Sequence, residues 1–321
     1  MRKIIKTLLG IGGAFCLIGA LLFSIGFTSG GTKYVHDTNL NSMNAQEDNK
    51  ESANRFTLKK TEIPDFTSLN INLEDSDLNI EESPNEKSYI EYAQATKNKK
   101  NPVSYSIENG TLTLKEAGNT GASYYINVDI SFLQAALSSK NIEDYTKESS
   151  KYENYVTLYL PKDKLVSSAK IYLGYGDFYV KNAAFDTINI KLDDGDFDAN
   201  TLTANSGKLT LSYGDFDLQK ASLGNISLTS KDGDLTVNEL TLSGKTKIAL
   251  SYGDTEITLN DSTKKVSGFD LATHYGTITA SGLNGNKTLD EDDDVNTFQS
   301  DSKDGKTKLS IDSKDGDITV K

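Results

Sequence analysis

The hydrophobic pattern divides the chain into three unequal parts. Leu8 to Phe27 is an uncharged run of 20 residues, long enough as a helix to cross a hydrocarbon core of about 30 Å. Arg2, Lys3 and Lys6 precede it, and basic flanks stay on the cytoplasmic side. The pattern therefore predicts a cytoplasmic tail at 1–7, a transmembrane helix at 8–27, and an extracellular remainder. A cleaved signal peptide has the same basic head, but its apolar region is usually shorter, about 7–15 residues. Residues 28–55 are polar, with Gly30-Gly31 and the cluster Glu47-Asp48-Asn49-Lys50-Glu51, and follow neither hydrophobic period. They read as a flexible stalk. From Phe56 the chain turns to short β-branched and aromatic runs broken by Gly, Asn and Asp, the signature of strands. One interruption stands out, because Phe132, Leu133, Ala136 and Leu137 share a helical face and predict a short helix inserted within 131–150.

The strand region repeats itself. Gly176, Gly195, Gly214, Gly233, Gly253 and Gly276 follow one another at 19, 19, 19, 20 and 23 residues, and Gly316 follows after 40. Five residues before each stands an apolar residue: Ile171, Ile190, Leu209, Leu228, Ile248, Leu271 and Ile311. Two and four residues after it come pairs such as Phe178 and Val180, Phe197 and Ala199, and Ile318 and Val320. Period-two alternation on both sides of the glycine describes a strand, a sharp bend and a second strand, with one face turned inward. Glycine suits a bend that demands positive φ. The same template finds degenerate copies around Ser76 and around Gly110.

A unit of this length cannot bury its own apolar face, so neighbouring units must stack. The expected fold is all-β, a repeat-built parallel β-solenoid over 56–321, with regular repeats at 166–321 and degenerate repeats plus the insert at 56–165. A β-sandwich of ordinary hairpins is the competing arrangement.

Composition narrows the function. The chain has 34 basic against 46 acidic residues, a net charge of -12, and its few early basic residues are spent next to the apolar run. That balance excludes a nucleic-acid phosphate binder, which needs a basic face. The lone Cys16 removes disulfide frameworks and cysteine zinc sites, and within the apolar run it reads as a small hydrophobe.

The stretches Leu-Gly-Tyr-Gly-Asp-Phe at 173–178, Ser-Tyr-Gly-Asp-Phe at 212–216, and Ser-Lys-Asp-Gly-Asp-Leu/Ile at 230–235 and 313–318 resemble the repeats of a bacterial "putative adhesin" family. The segment from Val156 to Leu165 resembles it too. The likeness covers roughly 56–321. It departs from the family at 115–150 and at 281–306, where a motif-bearing coil is expected. The resemblance implies a membrane-anchored domain of unknown function, linked in some members to Gram-positive cell-envelope stress systems, and supplies no catalytic residue.

Two columns beside the glycines are candidate sites. The residue after the glycine is Asp177, Asp196, Asp215, Asp234, Asp254, then Thr277, then Asp317. Stacked carboxylates could recruit calcium, although an aspartate that closes its own turn through local hydrogen bonds explains the column as well. The residue before the glycine is Tyr175, Asp194, Tyr213, Asp232, Tyr252, Tyr275 and Asp315, and a tyrosine ladder can bind sugar rings or simply pack. Asp193, Asp194 and Asp196 offer the paired carboxylates of a polysaccharide-cleaving enzyme, but every repeat looks alike and none is marked out. His36 and His274 have no ligand partner at metal spacing, and the acidic run at 290–294 reads as a solvated loop.

The sequence thus predicts a non-enzymatic, cofactor-free binding or adhesin-like module at the cell envelope, single-pass, with its C-terminal domain extracellular. Its expected partners are the lipid bilayer at 8–27 and an envelope protein or cell-wall polymer. A carbohydrate-active β-helix enzyme and a purely structural spacer are the alternatives.

Overall fold

The computed structural model describes residues 54–96, 100–117, 154–290 and 294–321. The membrane segment predicted at 8–27, nearly all of the predicted stalk and the helix predicted within 131–150 lie outside the described residues. Among the described residues no helix is long and apolar enough to cross a membrane.

The array is parallel, and its register follows the repeat. Strands β10 (Ala183–Asp194), β11 (Phe197–Tyr213) and β12 (Phe216–Asp232) pair with one another so that Phe197 lies beside Phe216 and Leu209 beside Leu228. Each residue therefore stacks on its equivalent one repeat away. This is why alternation is so regular: inward positions meet inward positions in every coil. Phe178, Phe197 and Phe216 are at most 1% exposed, the first two stacked at 4.8 Å between ring centroids and the next pair edge-on at 5.8 Å. Burying each such ring contributes about 1.5–3 kcal/mol. A sandwich of hairpins is ruled out, because neighbouring repeats run parallel.

Two ladders run the length of the solenoid, one on each side of the bend. Before it lie, in stacking order, β6 (Thr111–Glu116), β2 (Ser68–Leu73), β8 (Leu165–Tyr175), β10, the ends of β11 and β12, β14 (Lys245–Tyr252), β20 (Lys308–Asp315) and β16 (Gly268–Tyr275). After it lie β7 (Tyr155–Leu160), β3 (Asp77–Glu82), β9 (Phe178–Val180), the starts of β11 and β12, β13 (Leu235–Leu242), β15 (Thr255–Leu259), β21 (Ile318–Val320) and β17 (Ile278–Ala280).

The coils do not stack in chain order. The coil of Gly316 sits between those of Gly253 and Gly276: the Gly253 amide donates to the Asp315 carbonyl and the Gly316 amide to the Tyr275 carbonyl, each at 3.1 Å. After β15 the chain passes through helix α1 (Asp261–Val266), whose N-cap Asn260 accepts the Thr263 amide at 2.8 Å. It enters β16 one slot further along, and the C-terminal residues fill the slot left behind.

Antiparallel strands close both ends. At one end β1 (Asn54–Ile63) pairs with β4 (Ser88–Thr96), which pairs with β7, while β5 (Val103–Glu108) pairs with β6. At the other, β18 (Asn286–Asp290) and β19 (Val295–Ser300) form a hairpin on β16. Such caps blunt the open edges of a parallel stack.

One expectation needs correction here. Gly110 is no repeat bend: Asn109 at φ 50° and Gly110 at φ 74° form the two-residue turn between β5 and β6, and Asn-Gly is the pair such a hairpin favours. The departure from the family pattern at 281–306 is the capping hairpin, and the C-terminal coil occupies the place of the absent coil. The Ser76 copy, in contrast, is a true coil, the first of the stack.

Candidate functional site

Every bend sets three residues in columns along the solenoid: the residue before the glycine, the glycine, and the residue after it. Gly214 has φ 129°, and a Cβ there would overlap the carbonyl oxygen of Gly195 in the coil below. Gly176, Gly195, Gly233, Gly253, Gly276 and Gly316 meet the same obstacle, the carbonyl of the preceding coil's bend. Ser76 can carry a side chain because its coil is the first.

The aspartate after the glycine bonds across coils, not within its own turn. Asp177 Oδ1 accepts the Asp196 amide at 2.8 Å, Asp196 Oδ1 that of Asp215 at 2.8 Å, Asp215 Oδ1 that of Asp234 at 2.7 Å, and Asp234 Oδ1 that of Asp254 at 2.7 Å. Asp77 begins the series below Asp177, and Asp254 continues it through Asp317 to the Thr277 amide. Thr277, the one exception to aspartate in sequence, stands in the last coil and has no later amide to receive. Local turn closure is thereby corrected: one carboxylate oxygen per coil acts as a rung between coils, a charge-assisted bond.

A prediction follows for the cation reading. Asp215→Asn keeps the Oδ1 acceptor and is expected to change stability by less than ~0.5 kcal/mol, whereas Asp215→Ala should cost about 1–2 kcal/mol for one charge-assisted bond. Calcium is expected to leave the Tm unchanged; a calcium-dependent rise that Asp196→Asn and Asp215→Asn abolish would restore the ladder as a metal site.

The column before the glycine becomes strictly alternating once the true stacking order is followed. Tyr175, Asp194, Tyr213, Asp232, Tyr252, Asp315 and Tyr275 lie in successive coils, through direct pairing or through the bend amides of Gly195 and Gly233. The four tyrosines are between 48% and 64% exposed. Coils are about 4.8 Å apart, so successive tyrosines stand roughly 9.6 Å apart with a carboxylate between. Between Tyr175 and Tyr213 lies an open groove of about 330 Å³, lined also by Asp193, Asp194, Ser212 and Lys231. Lys231 Nζ lies 5.0 Å from the Tyr213 ring centroid and donates to its hydroxyl at 3.1 Å.

A model of the Toastrack DUF4097 family matches residues 66–321. The chain belongs to this family. No curated protein matches it. Among solved structures it is similar to a "putative adhesin" from Bacteroides fragilis, at 12% identity over 84% of this chain and 99% of that one, with a TM-score of 0.40. It is also similar to a "putative cell adhesion protein" from Clostridium sporogenes, at 14% identity, 84% and 99% coverage and a TM-score of 0.37. A third, a "putative lipid binding protein" from Parabacteroides distasonis, matches at 12% identity, 84% and 98% coverage and a TM-score of 0.37.

In this Toastrack domain two of the three carboxylates of the enzymatic alternative, Asp193 and Asp196, are engaged in structure. Asp193 receives the Tyr172 hydroxyl at 2.9 Å and Lys191 Nζ at 2.6 Å. Burial works to raise its pKa, but the bonds from Lys191 and Tyr172 outweigh burial and hold the carboxyl below the usual range. The hydrogen bond to Asp193 in turn pushes the Tyr172 phenol up to about 12. A general acid for glycoside cleavage needs a raised pKa. Asp198 is raised, by burial first and then by the field of Asp217, Asp196, Asp177 and Asp215. Among the described residues no cluster of three or more His, Cys, Asp or Glu is arranged to hold a metal ion. His274 lies exposed beside Tyr275, and His36 lies outside the described residues.

One residue escaped the repeat logic altogether. Glu116, at the end of β6, is 7% exposed, and its Oε2 accepts the amides of Glu74 at 2.9 Å and Asp75 at 3.0 Å. It satisfies first-coil amides that have no preceding coil to bond. Burial raises its pKa above the ordinary glutamate value, against those amide bonds. Since the folded value exceeds the unfolded one, folding takes up protons between them. The associated stability is complete below the unfolded pKa and is lost as pH rises through the folded one. Glu116→Gln keeps the acceptor oxygen and is expected to flatten this part of the stability–pH curve; an unchanged curve in urea melts from about pH 4, near the ordinary glutamate value, up to about pH 7 would show that Glu116 does not titrate there.

Proposed function

We propose that this chain is a single-pass membrane protein whose Toastrack solenoid lies outside the cell and binds a component of the cell envelope, without catalysis. One observation carries the reading: exposed tyrosines recur at every second coil, from Tyr175 through Tyr213 and Tyr252 to Tyr275, along one edge of the stack. Tyrosine joins a large apolar ring to a polar tip, which suits it to recognition at a wet surface. The basic head and the uncharged run at 8–27 support the membrane anchor.

The test uses the full chain reconstituted in vesicles and mixed with isolated envelope material. Wild-type vesicles are expected to sediment with the envelopes and vesicles bearing Tyr213→Ala/Tyr252→Ala to remain free; equal retention of the two would remove the tyrosine edge from the function. Protease added to wall-stripped cells should digest the chain beyond Thr28, and protection of that region until lysis would reverse the topology.

A further inference from the structure

The alternation of tyrosine and aspartate along the bend implies a ligand with the same two-step period. We propose that the edge binds a linear β-1,4-linked glycan carrying free amino groups, an inference that rests on the binding role proposed above and names its ligand class. In such a polymer each sugar ring is turned over relative to the last, so the same apolar ring face recurs once per disaccharide. The advance of one disaccharide is close to the roughly 9.6 Å that separates tyrosines two coils apart. One set of rings can therefore lie on Tyr175, Tyr213, Tyr252 and Tyr275, all of which are exposed. The intervening rings turn their opposite face to the protein, and the equatorial amino groups on the ring edges come within reach of Asp194, Asp232 and Asp315, which occupy the coils between.

Charge selects the amino form of the glycan. Along this edge the rungs Asp177, Asp196, Asp215, Asp234, Asp254 and Asp317 run beside the alternating column, and carboxylates outnumber the ammonium groups of Lys231 and Lys314. An anionic polymer would be repelled along its whole length, whereas ammonium groups at sugar spacing meet a carboxylate in every interval. The protein already shows one such arrangement internally, where the Lys231 ammonium rests over the Tyr213 ring and against its hydroxyl. Around the open groove between Tyr175 and Tyr213, Asp194 lies with Asp193, Ser212 and the ammonium of Lys231; Asp193 is already paired with Lys191 and Lys231 with Tyr213, so Asp194 is the carboxylate that this interval offers to a ligand.

The experiment measures fluorescence anisotropy of a labelled β-1,4-glucosamine hexamer with the full chain in vesicles. The hexamer is expected to bind, the dimer to bind at least tenfold more weakly, and the fully N-acetylated hexamer to bind more weakly than the free amine. Tyr213→Ala/Tyr252→Ala should weaken the hexamer at least tenfold while Tyr213→Phe/Tyr252→Phe retains it, and Asp194→Asn/Asp232→Asn/Asp315→Asn should erase most of the preference for the free amine. These positions are exposed, and unchanged circular dichroism melts would show that the variants fold. No binding of either hexamer, alongside tyrosine-dependent retention on envelopes, would overturn the glycan and leave the binding role standing. Oligolysine binding equally well, and equally to the alanine variant, would reduce the edge to an unspecific acidic surface and also overturn the proposal.

Discussion

Ending the chain at Lys306 is expected to unravel far more than the fifteen residues removed, counted from Thr307 to Lys321. The C-terminal coil is an interior coil, flanked on one side by β14 and β15 and on the other by β16 and β17. Its Leu309, Ile311, Ile318 and Val320 are at most 1% exposed. Losing four such side chains forfeits about 6–12 kcal/mol at 1.5–3 kcal/mol each, comparable with the whole stability of an ordinary domain, about 5–15 kcal/mol. The coil of β16 and β17 and its capping hairpin lose the surface they stack on. Amide exchange should therefore accelerate across 268–300 as well as in the neighbouring β14 and β15, while the coils from β8 to β12 retain protection, as expected for an array that is stable by nearest-neighbour contacts. If 268–300 stayed protected in the truncated chain, the C-terminal coil could not lie beneath it.

Gly214→Val is expected to be among the most damaging single substitutions. At φ 129° a side chain is strained in any surroundings, a cost of about 1–3 kcal/mol, and the new Cβ would also overlap the Gly195 carbonyl. The overlap involves backbone on both sides, and relieving it means separating two coils that are bonded through Asp196 Oδ1 and the Asp215 amide. A loss above ~3 kcal/mol is therefore expected. Ser212→Val, two residues earlier on the half-buried side of the same strand, should lose less than half as much. Urea melts of the two variants that coincide would remove the bend from the account.

Much of this architecture was legible in the amino-acid sequence, for a physical reason. In a parallel stack the register equals the repeat length, so Phe178, Phe197 and Phe216 align in sequence because they touch in space. The glycines were legible because both backbone conformation and coil spacing forbid a side chain there. What similarity between repeats cannot express is which coil neighbours which, since every coil presents nearly the same faces. The order of the last two coils left only two traces. One is Thr277, the aspartate that is missing where the ladder ends. The other is the adjacency of Tyr252 and Tyr275 in chain order, which breaks an alternation that the inserted coil of Asp315 restores. Gly110 misled because an Asn-Gly hairpin flanked by alternating residues imitates the repeat. Glu116 left no trace, because an end cap occurs once and has no period. The role of the aspartates was half legible: their place in a turn could be read, but the partner amide belongs to the next coil and is 19 or more residues away.

The continuous tyrosine and aspartate edge exists only if the coil of Gly316 lies between those of Gly253 and Gly276, and disulfide trapping tests that order directly. Asp312 pairs with both Ala249 and Ala272, each about 4.8 Å away along the ladder and inside the Cα separation of about 4.4–6.8 Å that a disulfide accepts. Ala249 and Ala272 are themselves two coils apart, about 9.6 Å, beyond its reach. In a Cys16→Ala background, Ala249→Cys/Asp312→Cys and Ala272→Cys/Asp312→Cys are each expected to cross-link under mild oxidation, and Ala249→Cys/Ala272→Cys to remain reduced. Efficient cross-linking of the third pair, with loss of the first, would place the coils in chain order and contradict the account.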